Sequence, residues 1–384
     1  MITTENSTID RDVGCAEKVY DMNLRAGDWV EIRSKDEILK TLDKSGQLDG
    51  LPFMEEMLAF CGRRFRVFKR AHKTCDTVND YKARRMKDAV HLEGLRCSGL
   101  SPGGCQAGCL IFWKIAWLKR VSENTSNSDL GAESYSVVVA DSNRDNAFAQ
   151  CTEADLLASS RSSASGDEPT YVCQATQVPA ATEPLSHWKL SQYIEDYTSG
   201  NVDLGRMASG FIFMGYHHWL VNLGIGWGFI LRWLYETFQR LFGGFPYPRR
   251  VGKIPIGEPT PTASLDLQPG EWVRVKSHRE ILGTCDASGK NRGMTFDPEM
   301  VPYLNRTYRV LKRVTKIINE RTGRMQEMKT PCIILEGVVC QSRYSDCRLF
   351  CPRSIYPYWR EIWLERITEN APASASRSAE SPSR

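Results

Sequence analysis

Two stretches of the chain open with the same short alternation of apolar and polar positions. Gly27-Asp28-Trp29-Val30-Glu31-Ile32 and Gly270-Glu271-Trp272-Val273-Arg274-Val275 place β-branched and aromatic residues at short intervals. Phe65-Arg66-Val67 and Tyr308-Arg309-Val310 alternate apolar with basic side chains, the period of a half-buried strand. Asp43-Lys44-Ser45-Gly46 and Asp286-Ala287-Ser288-Gly289 carry turn chemistry. The spacing predicts one short helix over 38–42. The pattern fits a small, strongly twisted SH3-like barrel with inserted loops, an analogy of fold that carries no function.

The two stretches continue in step. Ser34, Ile38 and Leu39 match Ser277, Ile281 and Leu282, and Phe53 and Met57 match Phe296 and Met300. Leu92-Glu93-Gly94 and Cys97 match Leu335-Glu336-Gly337 and Cys340. After small gaps, Cys105, Cys109, Trp113 and Trp117 match Cys347, Cys351, Trp359 and Trp363. So many ordered matches predict an internal repeat. The expected fold is mainly β with some α: two homologous SH3-like barrel modules with cysteine-rich loops, joined by a linker and an apolar helical hairpin. The boundaries read as a disordered N-terminus over 1–23, module one over 24–121 and a disordered linker over 122–168. A helical connecting region then covers 169–250, module two 251–368 and a disordered tail 369–384. Residues 135–140 could add a strand within the linker.

In the connecting region, 190–197 has helical spacing and 204–242 is a long apolar stretch. The 25 residues 207–231 contain no Asp, Glu, Lys or Arg, enough to cross a bilayer by length. Five glycines, His217, His218 and Asn222 blunt that hydropathy. Leu231, Leu234, Phe238 and Leu241 follow helical spacing opposite Arg232, Glu236 and Arg240. A packed hairpin, an interfacial helix making membrane-surface contact through 204–242, and a true span all remain open.

Composition narrows the class. The chain has 384 residues, 41% hydrophobic and 25% charged, with a formal net charge of +4, ordinary for a protein with real cores. So small a positive charge does not mark a dedicated nucleic-acid binder. The first fifteen residues have no apolar h-region, and the cysteine count is thirteen. Both features favour a cytoplasmic, reducing setting over a secreted disulfide framework.

The candidate chemistry lies in the cysteines. Cys97, Cys105 and Cys109 recur as Cys340, Cys347 and Cys351, and each module has one more thiol nearby, Cys75 and Cys332 respectively. Zinc takes four thiolate or imidazole ligands, and a three-residue interval lies within its usual spacing. Two Cys₄ zinc sites are therefore expected. Buried thiols, a local disulfide or an iron–sulfur cluster are the alternatives. Cys15, Cys61, Cys151, Cys173 and Cys285 have no repeat partner, and Cys173 is a possible substitute ligand.

His72 and His91 occur in module one alone, facing Thr315 and Ile334 in the repeat. His72-Lys73-Thr74-Cys75-Asp76 places a thiol beside two basic groups that can lower its pKa. His72, Cys75 and His91 are thus the catalytic candidates. The basic strands 63–70 and 306–313 interleave arginines with aromatics, as nucleic-acid surfaces do, though a solvated strand face reads the same way. The chain carries no Walker loop, dinucleotide fingerprint, HExxH or nucleophile elbow.

His91-Leu92-Glu93-Gly94-Leu95-Arg96-Cys97 with Gly104-Cys105-Gln106-Ala107-Gly108-Cys109, echoed by Leu335-Glu336-Gly337-Val338-Val339-Cys340, resembles an uncharacterised bacterial family of two-module cysteine-containing proteins. The resemblance runs from about residue 27 to 367, apart from the linker. It implies a place in a bacterial biosynthetic setting and carries over no catalytic residue. Three functions are then expected in turn: a zinc-stabilised accessory or scaffold protein docking protein partners, a biosynthetic enzyme using His72, Cys75 and His91, and a nucleic-acid binder.

Overall fold

A computed structural model describes residues 22–77, 82–122, 151–159, 161–162, 169–222, 229–248, 251–345 and 347–367. Nearly all of the stretch expected to be an N-terminal arm, most of the linker with its expected strand over 135–140, and the tail lie outside the described residues, as does Cys15.

Along the chain the elements run β1 (Trp29–Ile32), α1 (Lys35–Leu39), β2 (Arg64–Arg70), β3 (Lys73–Cys75), β4 (Ala83–Met86), β5 (Ala89–Arg96), β6 (Leu110–Lys114) and β7 (Leu118–Arg120). A connecting region follows with β8 (Thr182–Pro184), α2 (Ser191–Thr198), α3 (Leu204–Gly215) and α4 (Phe229–Leu241). The second half holds β9 (Trp272–Val275), α5 (His278–Gly283), β10 (Thr307–Ile318), β11 (Met325–Leu335) and β12 (Leu364–Arg366).

The result is mixed, mostly strands with some helices, around two curled half-barrel sheets. The first has the order β6-β5-β2-β1-β7 and the second β11-β10-β9-β12. Period-two burial explains the opening strands. Val30 and Ile32 are buried in β1, and Val273 and Val275 in β9, while their neighbours face outward. Each valine or isoleucine so buried stabilises the fold by roughly 1.5–3 kcal/mol.

The registers run in parallel. Trp29 faces Arg66 and Val30 faces Phe65; Trp272 faces Arg309 and Val273 faces Tyr308. Arg66 lies 6.0 Å over the Trp29 ring and donates to Gly27 O at 3.3 Å; Arg309 lies 5.9 Å over Trp272 and donates to Gly270 O at 3.3 Å. In the cores, the Phe53 ring meets Trp117 edge-on at 5.2 Å, and Phe296 meets Trp363 at 5.6 Å. The indole of Trp117 donates to Thr41 and that of Trp363 to Thr284.

Local chemistry sets the connections. The expected helix begins a few residues early because Ser34 and Glu37 form a capping box, as Ser277 and Glu280 do before α5. Asp43 Oδ1 accepts from the amides of Ser45 and Gln47, and Asp286 Oδ1 from those of Ser288 and Lys290. These Asx turns reverse the chain at Gly46 and Gly289, both at positive φ.

The halves differ where they meet. β10 and β11 continue as one long hairpin with bulges between Val310 and Lys312 and between Val314 and Lys316. It crosses onto the connecting region and the first half: Gly323 O accepts from Tyr171 N at 2.8 Å, and Gln106 Oε1 accepts from Thr315 N at 2.6 Å. In the first half β2 stops at Arg70. The β3–β4 hairpin leaves the sheet and pairs with β8 of the connecting region.

The apolar stretch forms α3, a π-turn over Tyr216–Val221, and α4. Residues 223–228 of this stretch lie outside the described residues. Tyr235 stacks on Tyr216 at 4.3 Å, and Gln239 donates to Ser209 O at 3.0 Å, joining α4 to the α3 side. Among the described residues no helix is long and apolar enough to cross a membrane.

Candidate thiol site at the junction

α2 brings its buried face, Gln192, Tyr193 and Asp196, against β3. Asp196 accepts from Lys73 Nζ at 2.6 Å, and both side chains are essentially without solvent contact. His72 Nε2 lies 3.1 Å from Asp196 Oδ1, off the line a hydrogen bond needs. The Lys73 ammonium also sits over the rings of Tyr193 and Phe350, at 5.1 and 5.7 Å. Burial lowers the Lys73 pKa and the Asp196 carboxylate opposes that shift.

From the second half, Arg353 reaches across. It donates to Cys75 O at 3.0 Å and Thr77 Oγ1 at 2.9 Å, and pairs with Glu320 at 3.2 Å. Cys75 and Cys351 lie within hydrogen-bonding reach of each other, both buried and neither in a disulfide. The hydrogen bond from Cys351, helped by the charges of Arg353 and Arg348, lowers the Cys75 pKa against the pull of burial. Burial raises that of Cys351, which keeps the proton the pair shares.

A second group of thiols lies beside this one. Cys97, Cys105, Cys109 and Cys173 wall one cavity of about 30 Å³, together with Met54, Ile318, Glu320 and Arg353. Only one or two water-sized bodies fit that volume. The loop between β5 and β6 is held shut by Cys97 N donating to Cys109 O at 2.8 Å and Gly104 N donating to Gly99 O at 2.7 Å. At Gly99 a Cβ would run into the Cys105 carbonyl at 1.7 Å, so only glycine fits there. Ile318 N donates to Cys105 Sγ at 3.4 Å, bringing the β10 hairpin against the same loop. Burial pushes the Cys109 thiol up to about 12 and raises Cys97 and Cys173 as well.

The structure groups the thiols differently from their spacing in the sequence. Cys75 lies with Cys351 of the other half rather than with Cys97, Cys105 and Cys109. Cys332 sits on β11, facing Met294 Sδ at 3.9 Å and Arg360 at 3.5 Å, with burial raising its pKa to about 11. Cys340 lies within electrostatic reach of Cys75 and Cys351, and the Cys347 carbonyl accepts from Ala83 N at 3.2 Å. As they stand, no three His, Cys, Asp or Glu side chains among the described residues are gathered tightly enough to hold a metal ion.

The other candidates are buried too. His91 donates from Nδ1 to Ile111 O at 2.9 Å and packs on Phe112 at 4.5 Å, while Nε2 has no partner. In the basic strands Arg64, Arg70 and Arg313 are half-buried and paired with acids, whereas Arg63, Arg66, Arg306 and Arg309 are exposed. Arg64 pairs with Glu31, Arg70 with Glu195, and Arg313 with Glu361 at 2.6 Å. Asp196 and Arg353 escaped sequence reasoning. The one available signal was an acid on the apolar side of the helical pattern 190–197. No protein family, curated protein or solved structure matches this chain.

Burial lowers the His91 pKa to about 3, from an unfolded value near 6.5. Its folded value is depressed, so its contribution to stability is complete above pH 6.5 and is lost as pH falls toward 3. Between pH 7 and pH 5 the wild type should therefore lose about 2 kcal/mol more than a His91→Gln variant. Urea unfolding of both proteins at the two pH values checks this.

Proposed function

We propose that this chain is a zinc-stabilised accessory or scaffold protein that docks protein partners through two homologous SH3-like modules. The observation that carries this reading is the small cavity walled by Cys97, Cys105, Cys109 and Cys173. It is too small for an organic substrate and of a size for a single ion, and four thiols are the donor set that zinc prefers. Cys173, from the connecting region, takes the place given to Cys75 by sequence spacing.

Binding requires the loop thiols to draw together and lose their protons, so affinity should rise with pH. Four thiolates around a divalent ion leave an excess negative charge, which Arg353 and Arg96 stand close enough to offset. A metal here would tie the β5–β6 loop to the connecting region, against the β10 hairpin tip, and so add binding free energy to folding. The parallel registers, capping boxes, Asx turns and indole hydrogen bonds of the two sheets support descent from one duplicated unit.

Elemental analysis of protein purified under reducing conditions without chelator tests the metal. The reading expects about one zinc per chain at this cavity, lost in Cys173→Ser and retained in Cys332→Ser. Protein that is folded but metal-free, in zinc-replete medium, would overturn it.

A second reading, a thiol-dependent enzyme, is favoured by the lowered pKa of Cys75 beside Arg353 and Arg348. Its burial opposes that role, because a nucleophile must be reached by its substrate. Iodoacetamide at neutral pH separates the two. Native protein should leave Cys75 unmodified at the rate of Cys340; selective labelling of Cys75 would establish the enzyme reading.

A further inference from the structure

The amphipathicity of α4 is inside out. Its buried face carries Tyr235 and Gln239, which meet Tyr216 and Ser209 on the α3 side. Its outward face carries Phe229, Ile230, Trp233 and Leu241, with exposures of 84%, 70%, 58% and 77%. At about 100° per residue these four fall within an arc of roughly 120°. A helix on the surface of a water-facing protein turns that stripe inward. Two more tryptophans lie near this helical layer: Trp219, 66% exposed at the end of the π-turn, and Trp188, 58% exposed and packed on His218.

Along this stretch of sequence the charge is mostly of one sign. Between Leu204 and Arg250 the sequence has a single acid, Glu236, against Arg206, Arg232, Arg240, Arg249 and Arg250. Glu236 is held by Arg232 at 2.8 Å, whereas Arg240 faces outward. Exposed indoles with an exposed arginine, Arg240, among them are the chemistry of a membrane–water interface, where the ring sits at the headgroups and the guanidinium meets anionic phosphate. The helix has 13 residues, about 20 Å of length, too short for the ~30 Å hydrocarbon core.

We infer that the α3–α4 hairpin is a peripheral membrane-docking surface, with α4 lying flat in the interface of an anionic bilayer. This goes beyond the scaffold reading and does not depend on the thiol cavity. Bulk apolar burial would supply the holding force, and the arginines the preference for negative lipid.

Flotation of the full chain with phosphatidylcholine vesicles, with and without phosphatidylglycerol, tests it. The expected result is co-flotation with the anionic vesicles, a blue shift of tryptophan emission, and weakening by added salt. The double variant Phe229→Ala/Trp233→Ala should bind roughly tenfold or more weakly. Trp272→Ala, an exposed tryptophan on the second sheet, should bind as wild type does. Folding of each variant is checked by its circular dichroism and melting. Failure to float with either vesicle overturns the inference. So does a vesicle-free dimer that the double variant breaks, because a second copy of the chain would then be the occupant.

Discussion

A single buried ion pair, Lys73 with Asp196, sits where the two sheets and the connecting region come together. Taking both charges out of water is costly, and their mutual attraction repays that only with good geometry and further hydrogen bonds. The geometry is present here: a 2.6 Å contact, a second long contact from Lys73 to Gln192, and two aromatic faces over the ammonium. An apolar contact would tolerate sliding. A charge pair without solvent holds β3 and α2 in one relative position, and Phe350 of the second half packs against both.

From that fixed point the rest of the junction follows. β3 carries Cys75 two residues beyond Lys73 and so delivers it to Cys351 and Arg353. Arg353 leads to Glu320 and the β10 hairpin tip, which closes one wall of the thiol cavity. The groups that looked most reactive in the sequence therefore serve first to bind one half to the other. α2 leads on to α3 and α4, whose apolar face is left outward because the layer beneath offers Ser209 and Tyr216 rather than an aliphatic groove.

Local signals made much of the two sheets legible. Trp29 to Ile32 and Trp272 to Val275 declared their period, Asp43 and Asp286 their turns, and 190–197 its helix. What local spacing could not reveal was long-range pairing. The β3–β4 hairpin leaves its sheet for β8, a partner about a hundred residues away, and Arg353 reaches Cys75 across 278 positions. Spacing therefore assigned Cys75 to the thiols nearest in sequence, while the fold carries it to Cys351. Cys173 has no matching cysteine in the second half, yet it borders the cavity because the segment that precedes α2 folds back over the first sheet. For α4, periodicity gave two faces and no means of deciding which one meets water.

A double-mutant cycle on unfolding free energy shows whether the Lys73–Asp196 pair holds the junction together. Lys73→Met and Asp196→Asn should each cost about 3–5 kcal/mol, because each leaves the opposite charge buried without its partner. The double variant should cost less than their sum by more than about 1.5 kcal/mol. Single variants that each lose under about 1 kcal/mol, with effects that simply add, would mean that the pair does not hold the junction.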